Sequence, residues 1–230
     1  MDEMTGALAG SGAITIWQDA RAETRADFFA WHNGEHLAER VGIPGFLRGR
    51  RYAALEGAPE FFTLYETADP AVHTGADYLA RLNAPTPTTR RIAPNMVNNV
   101  RSLCRVRWSR GALAGGLLFT LRFDAELHAE GPLAEWLCGR ALPALLEAPG
   151  VCAAHLCLAD TAASSVKTEE KKDRPVAAKV PGWVVLVEGA ADRVDLEAAV
   201  AQRLEEAALA ARGARESVRG LYQLQAWLAR

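Results

Sequence analysis

The chain has 230 residues, half of them apolar and 23% charged, with a formal net charge of −2. A chain of that length buries a sizeable core without disulfide or metal staples, and its near-neutral balance lacks the electrostatic footprint of a nucleic-acid or anionic-membrane partner. No run of 18 apolar residues is present, and the acidic start Met1-Asp2-Glu3-Met4 is unlike a basic secretory signal, so the expected location is the cytoplasm.

In chain order, Ala13–Gln18 is short, rich in Ile and Trp, and bounded by Gly/Ser and Asp19, which predicts a strand. From Ala22 to Val41, Phe28, Phe29, Trp31, His32, Leu37 and Val41 recur near helical spacing, and Gly42 and Pro44-Gly45 end the helix. Gly34 weakens its middle by roughly 1 kcal/mol relative to Ala. Phe46–Leu55 and Glu60–Thr67 read as a hairpin across Glu56-Gly57-Ala58-Pro59. Asp69-Pro70 starts a helix over Ala71–Asn83. Residues 84–95, with three Pro and three Thr, read as loop, and Val97–Trp108 closes the unit as a strand.

The same order then returns: strand Leu117–Phe123, helix Leu133–Glu147, strands Val151–Ala159 and Gly182–Glu188, helix Val194–Arg212, strand Ser217–Trp227. Residue types return with it. Trp31, Leu37, Pro44 and Gly45 reappear 105 positions later as Trp136, Leu142, Pro149 and Gly150. Phe61–Glu66 matches Trp183–Glu188 at a step of 122, and Val100–Leu103 matches Val218–Leu221 at 118. A step that widens in this way marks one duplicated unit with an insertion in the second copy. The insert, residues 160–180, holds all four lysines together with Glu169, Glu170 and Asp173, and reads as a mobile, solvated segment.

Each unit is β-α-β-β-α-β, the ferredoxin-like order: a four-stranded antiparallel sheet with helices on one face. Two such sheets bury their bare faces against each other. The predicted fold is α+β, with ferredoxin-like repeats at residues 1–112 and 113–230 packed sheet to sheet as an intrachain pseudo-dimer. Whether two chains further pair as a homodimer is left open. The four cysteines show no C-x-x-C spacing and read as buried reduced thiols.

His32-Asn33-Gly34-Glu35-His36 spells H-x-x-E-H, but a Pro-Gly and a hairpin follow in place of a helical peptidase scaffold, so no metal is assigned. Alternation sends Ile14 and Ile16 to the helix-covered face, and Thr15 and Trp17 to the space between the sheets. In the third strand it gives Phe62 and Leu64 to the helices, and Phe61, Thr63 and Tyr65 to the lumen. Arg50 and Tyr52 share one side of the hairpin strand, Gly49 and Arg51 the other, and the pattern leaves open which is inward. Equivalent faces in the second copy are plainer (Ala154, Val185, Val187), which points to one working site, in the first copy. His73 stands near the same mouth.

These residues and this order resemble the dimeric α+β barrel superfamily with both halves fused in one chain. The first half is similar to its EthD-like branch through Trp31 and Glu35-His36-Leu37, Ile43-Pro44-Gly45-Phe46, Arg50-Arg51-Tyr52 and Leu64-Tyr65-Glu66. Related barrels include cofactor-free monooxygenases, polyketide cyclases, lactone isomerases and haem enzymes. The resemblance implies a cofactor-independent enzyme acting on a small apolar or aromatic carbonyl compound by isomerisation, cyclisation or decarboxylation, and makes His36 the first candidate acid/base. A histidine simply paired with Glu39 is the alternative. Tyr65 joins His36 as a catalytic candidate, and Thr15, Trp17, Trp31, Arg51, Phe61, Thr63 and His73 are candidate substrate contacts. A haem reading has only His155, His36 or His73 to draw on, none within a motif. Within the enzyme class the alternative is a cofactor-free monooxygenase that oxidises an electron-rich phenol, and the competing class is a non-catalytic binding or assembly module. A solid inter-sheet space takes most of the support from the enzyme reading, and a pocket of roughly several hundred Å³ walled by His36 supports it.

Overall fold

A computed structural model describes residues 8–166, 168–172 and 179–230. In the first half, β1 (Gly12–Ala20) leads into α1 (Arg25–Trp31), a π turn (His32–His36) and α2 (Leu37–Val41). Next come β2 (Phe46–Glu56), β3 (Phe61–Thr67), α3 (Ala76–Asn83), α4 (Pro87–Ile92) and β4 (Met96–Gly111). The second half repeats this with β5 (Leu117–Ala125), α5 (Glu130–Trp136), a π turn (Leu137–Ala141), α6 (Leu142–Leu146) and β6 (Val151–Ala159). Two short helices follow, α7 (Thr161–Ser164) and α8 (Glu169–Lys172), then β7 (Trp183–Gly189), α9 (Arg193–Arg203), α10 (Glu206–Ala210) and β8 (Ala214–Ala229).

The strands close into a barrel in the order β1-β3-β2-β8-β5-β7-β6-β4, and each recorded pairing is antiparallel. Each half contributes a ferredoxin-like sheet, and the halves join at two seams, β2–β8 and β4–β6. The repetition extends to backbone detail. Gly45 and Gly150, 105 apart, both take positive φ (87° and 83°) after the helix, a conformation that favours glycine. Asn98 and Glu216, 118 apart, do so at 52° and 54° without being glycine.

The lumen is solid. Trp17, Tyr52, Phe62, Leu64 and Val100 of the first half interdigitate with Leu118, Val184, Leu186 and Tyr222 of the second. Arg122, the second-half counterpart of Trp17, lies over the Trp17 ring at 4.9 Å. The strand pattern therefore needs a correction. Phe62 and Leu64 fill the lumen, whereas Phe61, Thr63 and Tyr65 face the helices, because β3 pairs Tyr65 with Ile14 and Phe62 with Trp17. Residues opposite one another in a ladder share a face, so the outward placing of Ile14 takes Tyr65 with it. The same geometry settles the hairpin strand: Arg50 and Tyr52 are inward, while Gly49 packs beneath Leu37 and Tyr65, where a β-carbon would lie 2.7 Å from Leu37 Cδ1.

Three further expectations change. Residues 84–95 carry α4, with Thr86 as N-cap accepting from Thr89 N at 3.0 Å and Pro87 opening the helix. The insert read as solvated has two four-residue helices, and Ser164, Thr168 and Glu170 are buried; Lys167 and residues 173–178 lie outside the described residues. Cys104 and Cys157 are buried thiols, but Cys138 and Cys152 are only half-buried. No helix among the described residues is long and apolar enough to cross a membrane.

One end of the lumen is ionic. Arg50 donates to Glu66 at 3.1 Å and, through both Nη atoms, to Glu188 at 2.8 and 2.9 Å, with all three residues buried. Arg48 adds two bonds of 2.8 Å to Glu66, and His155 Nε2 lies 3.2 Å from Glu188. Glu66 and Glu188 are repeat equivalents, as are Arg50 and His155, so the cluster straddles the pseudo-twofold. Burial pushes Glu188 up, but the His155 hydrogen bond and the Arg50 charge outweigh it and hold its pKa at about 2, below the ordinary 4.5.

Because the folded-state pKa is depressed, the stabilisation is present above pH 4.5 and drains away as pH falls towards 2. Glu188→Gln should lose about 3 kcal/mol at pH 7 and show a flatter acid limb in denaturant titrations; an unchanged acid limb would contradict the assignment. Separating the halves uncovers the apolar lumen. A chain ending at Gly111 is therefore expected to associate or precipitate, and a folded monomer in sedimentation would refute the shared core.

Candidate functional site

A polar cavity lies outside the barrel, between the first half's sheet and its helices. Ile16 and Gln18 of β1, Thr63 and Tyr65 of β3, and Asn99 and Arg101 of β4 form its floor; Trp31, His32, His36 and Arg40 form the roof. Tyr78 and Leu82 of α3 and Glu170 of α8 close the sides. The enclosed volume is about 40 Å³, room for water and not for an aromatic ring. His32, His36 and Arg40 recur every four residues, which places them on one helix face.

The roof is held from above by α4. Trp31 Nε1 donates to Thr89 Oγ1 at 3.0 Å, Thr86 Oγ1 bonds Thr89 Oγ1 at 3.0 Å, and Thr86 also bonds Glu35. The His36 ring lies against the Trp31 indole, with centroids 4.1 Å apart and planes at 32°. His36 Nδ1 is 3.4 Å from Glu39 Oε2. Burial pushes the Glu39 carboxyl up, against the pull of Arg40.

His32 is fixed differently. Arg51 Nη1 is 3.1 Å from His32 Nδ1 and donates to Asn33 Oδ1 at 2.7 Å. A guanidinium only donates, so Nδ1 accepts and the neutral ring carries its proton on Nε2. Burial, and then the charges of His36 and Arg51, hold the His32 pKa well below 6.5. At neutral pH this ring is an uncharged donor.

On the floor, Gln18 Oε1 accepts from Asn99 Nδ2 at 3.1 Å. Thr63 Oγ1 and the Tyr65 hydroxyl are buried with no hydrogen-bond partner among the described residues. Burial raises the Tyr65 phenol far above its ordinary 10, so it stays protonated and has a proton to donate. Orphaned buried hydroxyls are rare in cores and call for an explanation, which a ligand-facing wall supplies.

Of the residues singled out from sequence, His36, Tyr65, Thr63 and Trp31 meet in this cavity. Arg51 stands behind His32, and Phe61 stacks on Phe28 at 4.6 Å in the aromatic cluster around Trp31. Thr15 and Trp17 occupy the other face of the sheet; Trp17 Nε1 is bonded to Thr120 Oγ1 at 3.4 Å inside the lumen. His73 is buried in a different groove beside Leu103, Cys104 and Asp160, bonded to Thr67 Oγ1 at 2.8 Å, and burial with Arg101 nearby lowers its pKa to about 4. Sequence reasoning passed over Gln18, Asn99, Arg40, Arg101 and Glu170. The four-residue spacing His32-His36-Arg40 was a visible signal for one of them; nothing in the pattern singled out Glu170.

No group of three His, Cys, Asp or Glu among the described residues is placed to hold a metal ion. His155 engages both ring nitrogens, with Ser109 at 2.8 Å and Glu188 at 3.2 Å, and His73 commits Nε2 to Thr67. Neither offers those nitrogens to a haem iron, and the space beside His36 does not admit a porphyrin.

Among the described residues, the equivalent place in the second half is filled with apolar side chains. His32, His36 and Arg40 correspond to Leu137, Ala141 and Leu145; Gln18 corresponds to Phe123, Thr63 to Val185 and Tyr65 to Val187. All six replacements are buried in one apolar cluster. Both halves keep the π turn, so the turn belongs to the repeat and the polar lining belongs to the first half alone.

No protein-family model and no curated protein sequence matches the chain. Solved structures match it by shape. An anthrone oxidase-like protein superposes with a TM-score of 0.64 at 11% identity, covering 98% of this chain and 95% of the other. A monooxygenase candidate from Fusobacterium nucleatum gives 0.59 at 8% identity, covering 97% and 96%. A chlorite dismutase candidate gives 0.55 at 12% identity, covering 94% and 96%. At these identities the likeness is one of fold, and a fold hosts many chemistries.

Proposed function

We propose that this chain, a dimeric α+β barrel fused into one polypeptide, is a small-molecule enzyme with a single working site in its first half. The observation that carries this reading is the contrast between the repeats. The six polar positions, His36 among them, would be cheaper to fill with the second half's apolar residues, since a buried polar group without a full set of hydrogen bonds is unfavourable by about 1–3 kcal/mol. Retaining them in one half only fits a site under functional demand.

The chemistry we assign is cofactor-independent proton transfer beside a carbonyl of an apolar, aromatic or polyketide-like compound. His36 takes the proton from the activated carbon or phenol, and its indole stack on Trp31 fixes the ring plane. Negative charge then develops on the substrate oxygen, and His32 Nε2–H and the Tyr65 hydroxyl are among the donors in the wall. Returning the proton to another carbon completes an isomerisation or cyclisation with no other reagent. Arg51 acts through His32, holding its tautomer.

The shape likeness to proteins named as oxidase-like or monooxygenase favours a second outcome from the same first step. The carbanion would pass to dioxygen, a methylene becoming a carbonyl and the second oxygen atom leaving as water. Deuterium exchange into a panel of anthrones and β-ketoacyl phenols reports the shared deprotonation, and an oxygen electrode separates the two outcomes.

His36→Gln keeps size and hydrogen bonding but cannot relay the proton. It should lower turnover by roughly two to four orders of magnitude and remove one limb of the pH–rate profile, with stability changed by about 1–2 kcal/mol at most. Full activity in that variant would move the site elsewhere. Tight binding of panel compounds with neither exchange nor oxygen uptake would assign the chain to the non-catalytic class.

A further inference from the structure

We infer that Arg40 is the subsite for an anionic group of the ligand, a carboxylate or phenolate oxygen, and that Glu170 occupies this subsite until such a ligand displaces it. The inference rests on the cavity assigned above and deepens it by naming the ligand class.

Arg40 is only 3% exposed, and Glu170, with which it forms an ion pair, 7%. They come from opposite halves, Arg40 from α2 and Glu170 from α8 of the insert. Among the described wall residues, Glu170 alone is not carried by the strands and helices of the first half. Nη1 of Arg40 is buried with no hydrogen-bond partner among the described residues. A guanidinium fork is built to hold an anion through two parallel bonds, and here one arm of the fork is left over inside a cavity wall.

The repeat comparison separates this arrangement from a structural ion pair inherited with the fold. The second half has Leu145 in place of Arg40, and the first half joins β2 to β3 through a short turn with no insert. The cation and the segment that neutralises it occur once each, and they occur together. An unpaired buried arginine is strongly unfavourable, so a counter-charge is needed whenever the cavity is closed. A ligand carboxylate replaces Glu170 with little net electrostatic change, while Glu170 regains water. The exchange also enlarges a cavity that otherwise lacks room for a ring, with Trp31, Tyr78 and Leu82 left to pack the ligand's apolar part.

The test is calorimetric binding of sodium benzoate against benzamide, its neutral isostere, at fixed ionic strength. Removing the internal competitor in Glu170→Gln should tighten benzoate roughly tenfold or more, as expected when the competent state was a minor fraction, and leave benzamide unchanged. Adding Arg40→Leu to that variant removes both charges and should abolish the gain. In the wild-type chain, benzoate should also speed tryptic cleavage after Lys172, a readout that holds even if a variant fails to fold. Equal benzoate affinity in wild type and Glu170→Gln, an equal gain for benzamide, or a cleavage rate indifferent to benzoate would each overturn the inference. Because these measurements read binding, they are separable from the chemistry. Loss of turnover in His36→Gln with no benzoate gain sinks only the Arg40 subsite, and the converse sinks only the proton-transfer assignment.

Discussion

The architecture turns on one guanidinium placed where two sheets meet. Arg50 reaches Glu66 on its own side and Glu188 on the other, in a lumen otherwise lined by side chains such as Phe62, Leu64, Val184 and Leu186. Apolar packing alone tolerates sliding of one sheet over the other, since any registration buries similar area. A slip that parts Arg50 from Glu188 leaves charge without compensation in a dry interior, which is far more unfavourable. The ionic end therefore selects a register, and the apolar remainder supplies the bulk of the favourable burial.

Filling the lumen has a further effect on where chemistry can occur. With the inter-sheet space occupied by Trp17, Tyr52 and Tyr222, the polar recess walled by His36 lies outside the barrel, beneath the helix layer of the first half. Its roof is a helix with a π turn, which both halves share, and its polar lining belongs to one half. Gly49 lets Leu37 settle onto the sheet and so brings His36 and Arg40 down to the floor residues. A scaffold common to both repeats carries a polar lining in one and apolar packing in the other.

Much of the fold was legible because duplication doubles every signal. Pro44-Gly45 and Pro149-Gly150 marked the same helix end twice, and the β-α-β-β-α-β order followed from two independent readings. The face of β3 was not legible. Six consecutive residues from Phe61 to Glu66 are buried, so alternation carries no contrast there, and only the register with β1 decides. That single ambiguity placed Phe61, Thr63 and Tyr65 in the lumen beside Thr15 and Trp17, and it attached the enzyme criterion to the lumen. His36 was named through the family resemblance, which does not depend on the inward face, whereas Thr63 and Tyr65 were named from an alternation read with the wrong face inward. The insert was misread for the opposite reason: its composition is that of a solvated segment, and one buried carboxylate within it leaves no trace in composition.

Fusion of the two halves also changes how the molecule responds to dilution. In a barrel assembled from two separate chains, closure of the sheet is a bimolecular equilibrium, and the folded fraction falls as protein concentration falls. Here the stretch between β4 and β5 makes closure intramolecular, so the partner sheet is present at a fixed effective concentration. Nor must a mutation in one sheet appear in the other. Arg50 can face His155 across the axis, an asymmetry that a symmetric pair of identical chains is unable to encode.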